Sequence, residues 1–179
     1  MHRRLAQFCA ALLCVFVSAA ALATQLEARS LAQLGHDAQL VVQGSVRGTR
    51  SYWNEDRTRI LTEVEFEVAH AHKGQAPHVV RVLQMGGVVD GVRMTMHGAP
   101  QWQAQQAMLL FLEPATRDAY RLSGFTQGRF ELLQDPRSGE LVAKRSLFGA
   151  ELVGKGEPAL QMSLRDLLAE AKLVAEVER

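Results

Sequence analysis

Two histidines one residue apart, His70 and His72, end the segment 58–72 (TRILTEVEFEVAHAH) and are the first candidates for metal chemistry in this chain. Residues i and i+2 of a strand share a face, so both imidazoles could meet one ion there, with His78 or His97 arriving from a neighbouring element. The surroundings offer little help. Both cysteines, Cys9 and Cys14, lie near the N-terminus, no recognised ligand spacing is present, and strand alternation turns the nearby carboxylates to the opposite face. Histidines at a strand end or barrel rim explain the same residues without a metal.

The other chemistry-bearing patterns are weaker. Residues 149–155 (GAELVGK) match half of a phosphate loop, but Gly156 stands where Ser or Thr belongs and Gly-Glu-Pro follows where a helix must start. A Ser/His/Asp set can be drawn from Ser123, His97 and Asp90, yet only geometry makes a triad. No H-E-x-x-H, G-x-S-x-G or G-x-G-x-x-G occurs, and no cofactor is expected. The better candidates for recognition are aromatic: Tyr52, Trp53 and Trp102, all in predicted loops, because tryptophan is enriched at binding hot spots. Capping of the barrel ends is the competing role for them.

These residues need elements to hold them. Residues 1–23 read as a secretory signal: a cationic start at His2, Arg3 and Arg4, an apolar run from Phe8 to Val17, and Ala21-Leu22-Ala23 before the cleavage point. That run is shorter than the ~20 residues that span hydrocarbon. Removing the signal takes away two arginines and no acid, so 20 Lys+Arg against 19 Asp+Glu becomes a single excess acid. Such a balance gives no electrostatic reason to expect nucleic acid or an anionic membrane surface as a partner, and no stable membrane insertion is expected after cleavage. Without cysteines, residues 24–179 must be stabilised by their core alone, and one domain of that length can do so.

The segment 58–72 organises the rest. Ile60, Thr62, Val64, Phe66 and Val68 fall on one face and Glu63, Glu65 and Glu67 on the other, the pattern of a half-buried strand. Fully extended it would reach roughly 50 Å, so it must bend and serve two parts of one sheet. The acidic row is a solvated face or a stripe for a cationic partner, and Arg81, Arg93, Arg121 and Arg129 are candidate cross-strand partners for it.

Ahead of this segment the spacing of Leu26, Leu31 and Leu34 predicts a helix over 26–34. A strand over 39–46 follows, with Gly44 marking a bulge or close backbone approach, and then a polar connection over 48–57. Beyond it, strands are expected at 78–85, 107–112, 119–123, 129–134 and 140–144. Asp90-Gly91 predicts a two-residue hairpin, and Asp135 to Gly139 a turn. The run AMLLFL, apolar on both faces, predicts a central strand covered on both sides. Residues 146–162 read as loop, and Ser163 caps an amphipathic C-terminal helix carrying Leu164, Leu167, Leu168, Ala171 and Ala175.

The fold expected is mainly β: a small, closed or partly open antiparallel barrel of OB type, with a short leading helix and a C-terminal helix packed outside. Its divisions would be 1–23 signal, 24–145 barrel with leading helix, and 146–179 loop and helix. The blocks AQLVVQGSV, TEVEFEVAHAHKG, LQMGG, HGAPQW and AMLLFLEP resemble, in that order, a group of uncharacterised exported bacterial proteins. At the level of pattern the chain is also similar to the OB-type barrels of the netrin and metalloproteinase-inhibitor class. That resemblance implies a five-stranded barrel opened by a long bent strand, and it transfers no functional residue. The expected function is a periplasmic or secreted, non-enzymatic binding module for a protein partner, an exported protease being one option. The alternatives are a metal-binding protein or metal-dependent hydrolase using His70, His72 and His97, and a carrier of a small apolar ligand, which needs an enclosed cavity.

Overall fold

The computed structural model describes residues 24–154 and 160–173. The signal expected over 1–23 lies outside them, as does Ala175. The chain opens with a short strand, β1 (Gln25–Glu27), and a helix, α1 (Leu31–Asp37). The helix starts later than leucine spacing suggests. Ser30 accepts from the backbone of Gln33 while the Gln33 side chain reaches back to the Ser30 N–H, a reciprocal cap that fixes the first turn there. Leu26 is thereby left in β1, against the expectation of a helix over 26–34.

Two long strands follow, β2 (Leu40–Trp53) and β3 (Ile60–Lys73). They pair antiparallel from Val41↔Lys73 to Trp53↔Ile60, with three register shifts that coil the ladder. Gly44 sits at one shift, and a Cβ there would run into the Glu67 carbonyl oxygen and crowd the Phe66 ring. Only glycine allows that approach. β3 keeps its expected alternation: Ile60, Thr62, Val64 and Phe66 are buried, and Glu65 and Glu67 are exposed. β2 runs further than expected, through residues 48–53. Tyr52 and Trp53 therefore end a strand rather than lie in a loop.

The chain continues through β4 (Val79–Met85), β5 (Gly87–Val89), β6 (Val92–Met94), β7 (Ala107–Pro114), β8 (Tyr120–Leu122), β9 (Arg129–Gln134) and β10 (Leu141–Arg145). Last come β11 (Glu151–Val153), β12 (Gln161–Ser163) and α2 (Leu164–Glu170). Asp90 and Gly91 turn β5 into β6 with φ of 50° and 77°, as a type I′ hairpin requires. The two short strands β11 and β12 fall in the segment expected as loop. β11 pairs parallel with β1, and β12 extends the sheet beside β10.

One eight-stranded sheet dominates, and five of its strands close a ring in the order β2, β3, β4, β8, β7 and back to β2. Four contacts of the ring are antiparallel. The fifth, β4 with β8, is parallel and rests on Val82↔Tyr120. β8 and β9 run along the same edge of β7, interrupted at Phe111 by an excursion over residues 123–128, where Gly128 accepts from the Phe111 N–H and Phe111 from that of Ser123.

β7 divides two cores. Met108, Leu110 and Leu112 face a cluster with Leu40, Val42, Val46, Val64, Phe66, Val80, Val82 and Leu122, drawn from the ring strands. Leu109 and Phe111 face the other way, onto Leu34 of α1 and Leu167, Leu168 and Ala171 at α2. The strand is covered on both sides, as its apolar run requires. Among the described residues no helix is long and apolar enough to cross a membrane.

Candidate binding groove

The ring is least tightly zipped between β4 and β8, and a cavity of about 490 Å³ lies there. Beyond Val82↔Tyr120, Leu83, Gln84 and Met85 line it from β4, and Arg121 and Leu122 from β8. Leu26 and Arg29 enter from the start of the chain, Met96, Pro100 and Trp102 from the segment joining β6 to β7, and Gly124, Phe125 and Gln127 from the excursion. The walls are mostly apolar, with Gln84 polar beside Trp102 and the other polar groups clustered around Glu113.

That polar cluster is built on Glu113, the next-to-last residue of β7, before Pro114. Its side chain is 17% exposed and its oxygens are well supplied. Oε1 accepts from Arg29 at 2.9 Å and from the Ser123 hydroxyl at 2.7 Å, and Oε2 accepts from Arg121 at 3.2 Å. Burial alone would raise this carboxyl. The hydrogen bonds from Ser123, Arg29 and Arg121 outweigh it and hold the group below its ordinary value. Arg29 also reaches Asp37 at 3.4 Å.

The excursion is tied down by hydrogen bonds of its own. Gln127 is buried, accepts from the Arg29 N–H at 2.9 Å, and donates to the Glu27 carbonyl at 2.9 Å, tying the excursion to β1. Gly124 and Phe125 are both left-handed, with φ of 60° and 66°. A bulky residue in that conformation costs of order 1–3 kcal/mol and persists where its surroundings impose it. Here it carries the Phe125 side chain to the cavity wall.

Trp102 stands opposite, half-buried and packed on the ring core. Its indole N–H donates to Gln84 Oε1 at 2.7 Å, and Gln84 Nε2 donates to the Pro100 carbonyl at 3.1 Å. Trp102 therefore closes an end of the ring and lines the cavity at once. Tyr52 and Trp53 are half-buried and outside the cavity lining, and the Arg50 guanidinium lies 5.5 Å from the Tyr52 ring centre.

The histidines are dispersed. His72 hydrogen-bonds Gln43 Oε1 at 3.1 Å, and burial together with neighbouring His70 pulls it below its ordinary value. His78 sits 3.1 Å from Glu67, and His97 contacts the Gly149 carbonyl at 3.2 Å. Among the described residues no group of three or more His, Cys, Asp or Glu side chains converges as a metal site would require. Ser123 donates to Glu113, so the Ser123–His97–Asp90 set is not assembled through its serine. The acidic row of β3 pairs with Arg47, Arg50, Arg81 and His78. Of the four arginines expected to meet it, Arg81 does so, whereas Arg121 goes to Glu113 and Arg129 is buried elsewhere.

Sequence reading missed Arg29, Met85, Met96, Glu113, Phe125 and Gln127. For Phe125 and Gln127 the available signal was the segment SGFTQG: six mostly polar residues between two strand patterns, longer than a tight turn and holding two glycines. In comparisons with known proteins the chain matches no family model, no curated sequence and no solved structure.

Proposed function

We propose that the chain is an exported, non-enzymatic binding module that takes an apolar group of a protein partner into the groove between Trp102 and Phe125. The observation that carries this reading is the groove itself: about 490 Å³ walled by Leu83, Met85, Met96, Trp102 and Phe125. Convergent polar groups gather around Glu113, and a large aromatic is held left-handed in the wall. Concave, mainly apolar sites with a few fixed polar groups are the usual form of a binding pocket. Methionines adapt such a wall to irregular guests. The polar cluster does not resemble a catalytic centre, because both oxygens of Glu113 are already committed to donors.

We read the ring as an OB-like barrel. Three antiparallel strands in sequence, a return through β7 beside β2, and a parallel closure of β4 on β8 support that assignment, and with it the pattern-level likeness to the netrin and metalloproteinase-inhibitor class. Fold likeness carries no partner with it.

A second reading, a carrier of a small apolar ligand, draws on the cavity volume, which lies within the ~300–1,000 Å³ typical of small-molecule sites, but ranks second because the groove is open rather than enclosed. One experiment separates the two. Immobilised protein is exposed to native envelope extract and culture fluid beside a Phe125→Asp variant, and material eluted from each is analysed by mass spectrometry for both proteins and small molecules. A stoichiometric protein retained by the parent and lost from the variant supports the first reading. A small apolar compound with the same behaviour transfers the site to the second. Equal retention of everything by both chains removes the groove from either.

A further inference from the structure

Arg129, the first residue of β9, is 3% exposed. Among the described residues no carboxylate lies within ion-pair distance of it, although Glu131 acts on it at longer range. A cation removed from water is costly unless something replaces its hydration. Here the replacement is two aromatic faces and two oxygens. The guanidinium lies 5.5 Å from the Trp102 ring centre and 5.0 Å from that of Phe148. One terminal nitrogen donates to the Gln101 carbonyl at 3.1 Å and to Gln106 Oε1 at 3.0 Å, while Nε has no hydrogen-bond partner.

These contacts share a geometric consequence. Gln101 and Gln106 are the two ends of the loop that carries Trp102, so a single nitrogen fastens both ends of that loop while the guanidinium carbon lies over the indole. Phe148, itself left-handed at φ 50°, belongs to the segment that His97 contacts through the Gly149 carbonyl. Arg129 thus joins the Trp102 loop to the segment before β11. Lysine keeps the charge but has neither a planar face nor a fork, so it cannot make the same set of contacts.

We infer that Arg129 is a positioning residue of the groove: it sets the place of Trp102, and so the shape of the wall, without touching the guest. This rests on the groove being the binding site. A protein whose only need was stability would be served there by an apolar side chain, since replacing a buried ion by well-packed hydrophobic groups is often neutral or stabilising.

The test uses the full chain carrying Trp53→Phe, which leaves Trp102 as the sole tryptophan. Anilinonaphthalene sulfonate serves as the groove probe, its binding read by quenching of Trp102 emission. In Arg129→Met, native Trp102 emission is expected to shift to longer wavelength and to become more open to acrylamide. Probe affinity is expected to fall about fivefold or more, with Arg129→Lys between the two. A purely structural role would lower the unfolding midpoint and leave the native emission and the probe affinity where they were, and that result overturns the proposal. If Arg129→Met fails to fold, Arg129→Lys decides on the same readouts. If the parent does not bind the probe, the groove reading fails, while the emission shift still decides whether Arg129 places Trp102.

Discussion

The β2–β3 ladder and the β4–β8 seam close the same ring by opposite means. The ladder runs from Val41↔Lys73 to Trp53↔Ile60 and is coiled by bulges, whereas the seam rests on Val82↔Tyr120. Along the ladder, backbone hydrogen bonds and one apolar face hold the strands at fixed spacing. Past the seam that restraint ends, and the gap is held by side chains instead: Glu113 with its three donors, Gln127 spanning to β1, and Trp102 on Gln84. A cavity opens where backbone pairing stops and side-chain pairing begins. Position in the ring thus determines where the cavity lies.

The largest predicted effect tests the ladder. Gly44→Val should cost more than about 3 kcal/mol or abolish folding, because its side chain must displace the Glu67 backbone. Gly48→Val, on the same strand with open space around it, should stay within about 0.5 kcal/mol. Urea denaturation of both checks the contrast, and equal costs would mean that the close approach at Gly44 does not organise the strand.

Next come the two sides of the ring core. Phe66→Ala, on the ladder, should cost about 3–5 kcal/mol, and Leu122→Ala, at the seam, about 2–3 kcal/mol. A larger loss at Leu122 would make the seam, not the ladder, the main closure.

Glu113→Gln should cost about 1–2 kcal/mol near neutral pH, since three donors lose a charged acceptor. The sign of its pH dependence follows from a carboxyl held below its ordinary 4.5. The unfolded chain binds the proton first as pH falls. The stabilisation is therefore complete above that value and disappears as pH falls through the folded value. Unfolding midpoints measured from pH 6 downward should converge for parent and variant at the acid end. A constant gap would refute the charge-assisted network.

Much of the fold could be read from local pattern, because its signals are local. The alternation of β3, the doubly apolar β7, the Asp90-Gly91 hairpin and the Ser163 cap each act within a few residues. Where pattern failed, distant pairing decided. Residues 48–53 are polar enough to read as a loop, yet β3 offers them a ladder as far as Ile60, and pairing overrides propensity. β1 and β11 are three-residue strands that exist through each other across more than a hundred residues of chain. The groove draws on segments scattered from Leu26 to Gln127 and carries no motif, so only the closed ring reveals it.

His72 offers the smallest effect and bears on the end of the ladder farthest from the hairpin. Burial, and then the charge of His70, lowers its proton affinity below the ordinary 6.5. Between that value and the lower folded one, the unfolded chain binds more protons than the native chain, so stability should rise with pH across this window. His72→Gln should remove that slope and leave stability near pH 8 almost unchanged, because an amide can still meet Gln43. Thermal unfolding at intervals from pH 8 to pH 5 measures it. If the parent instead gains stability as pH falls, the protonated imidazole has a negatively charged partner in the fold, and the ladder's end is held by charge rather than by burial.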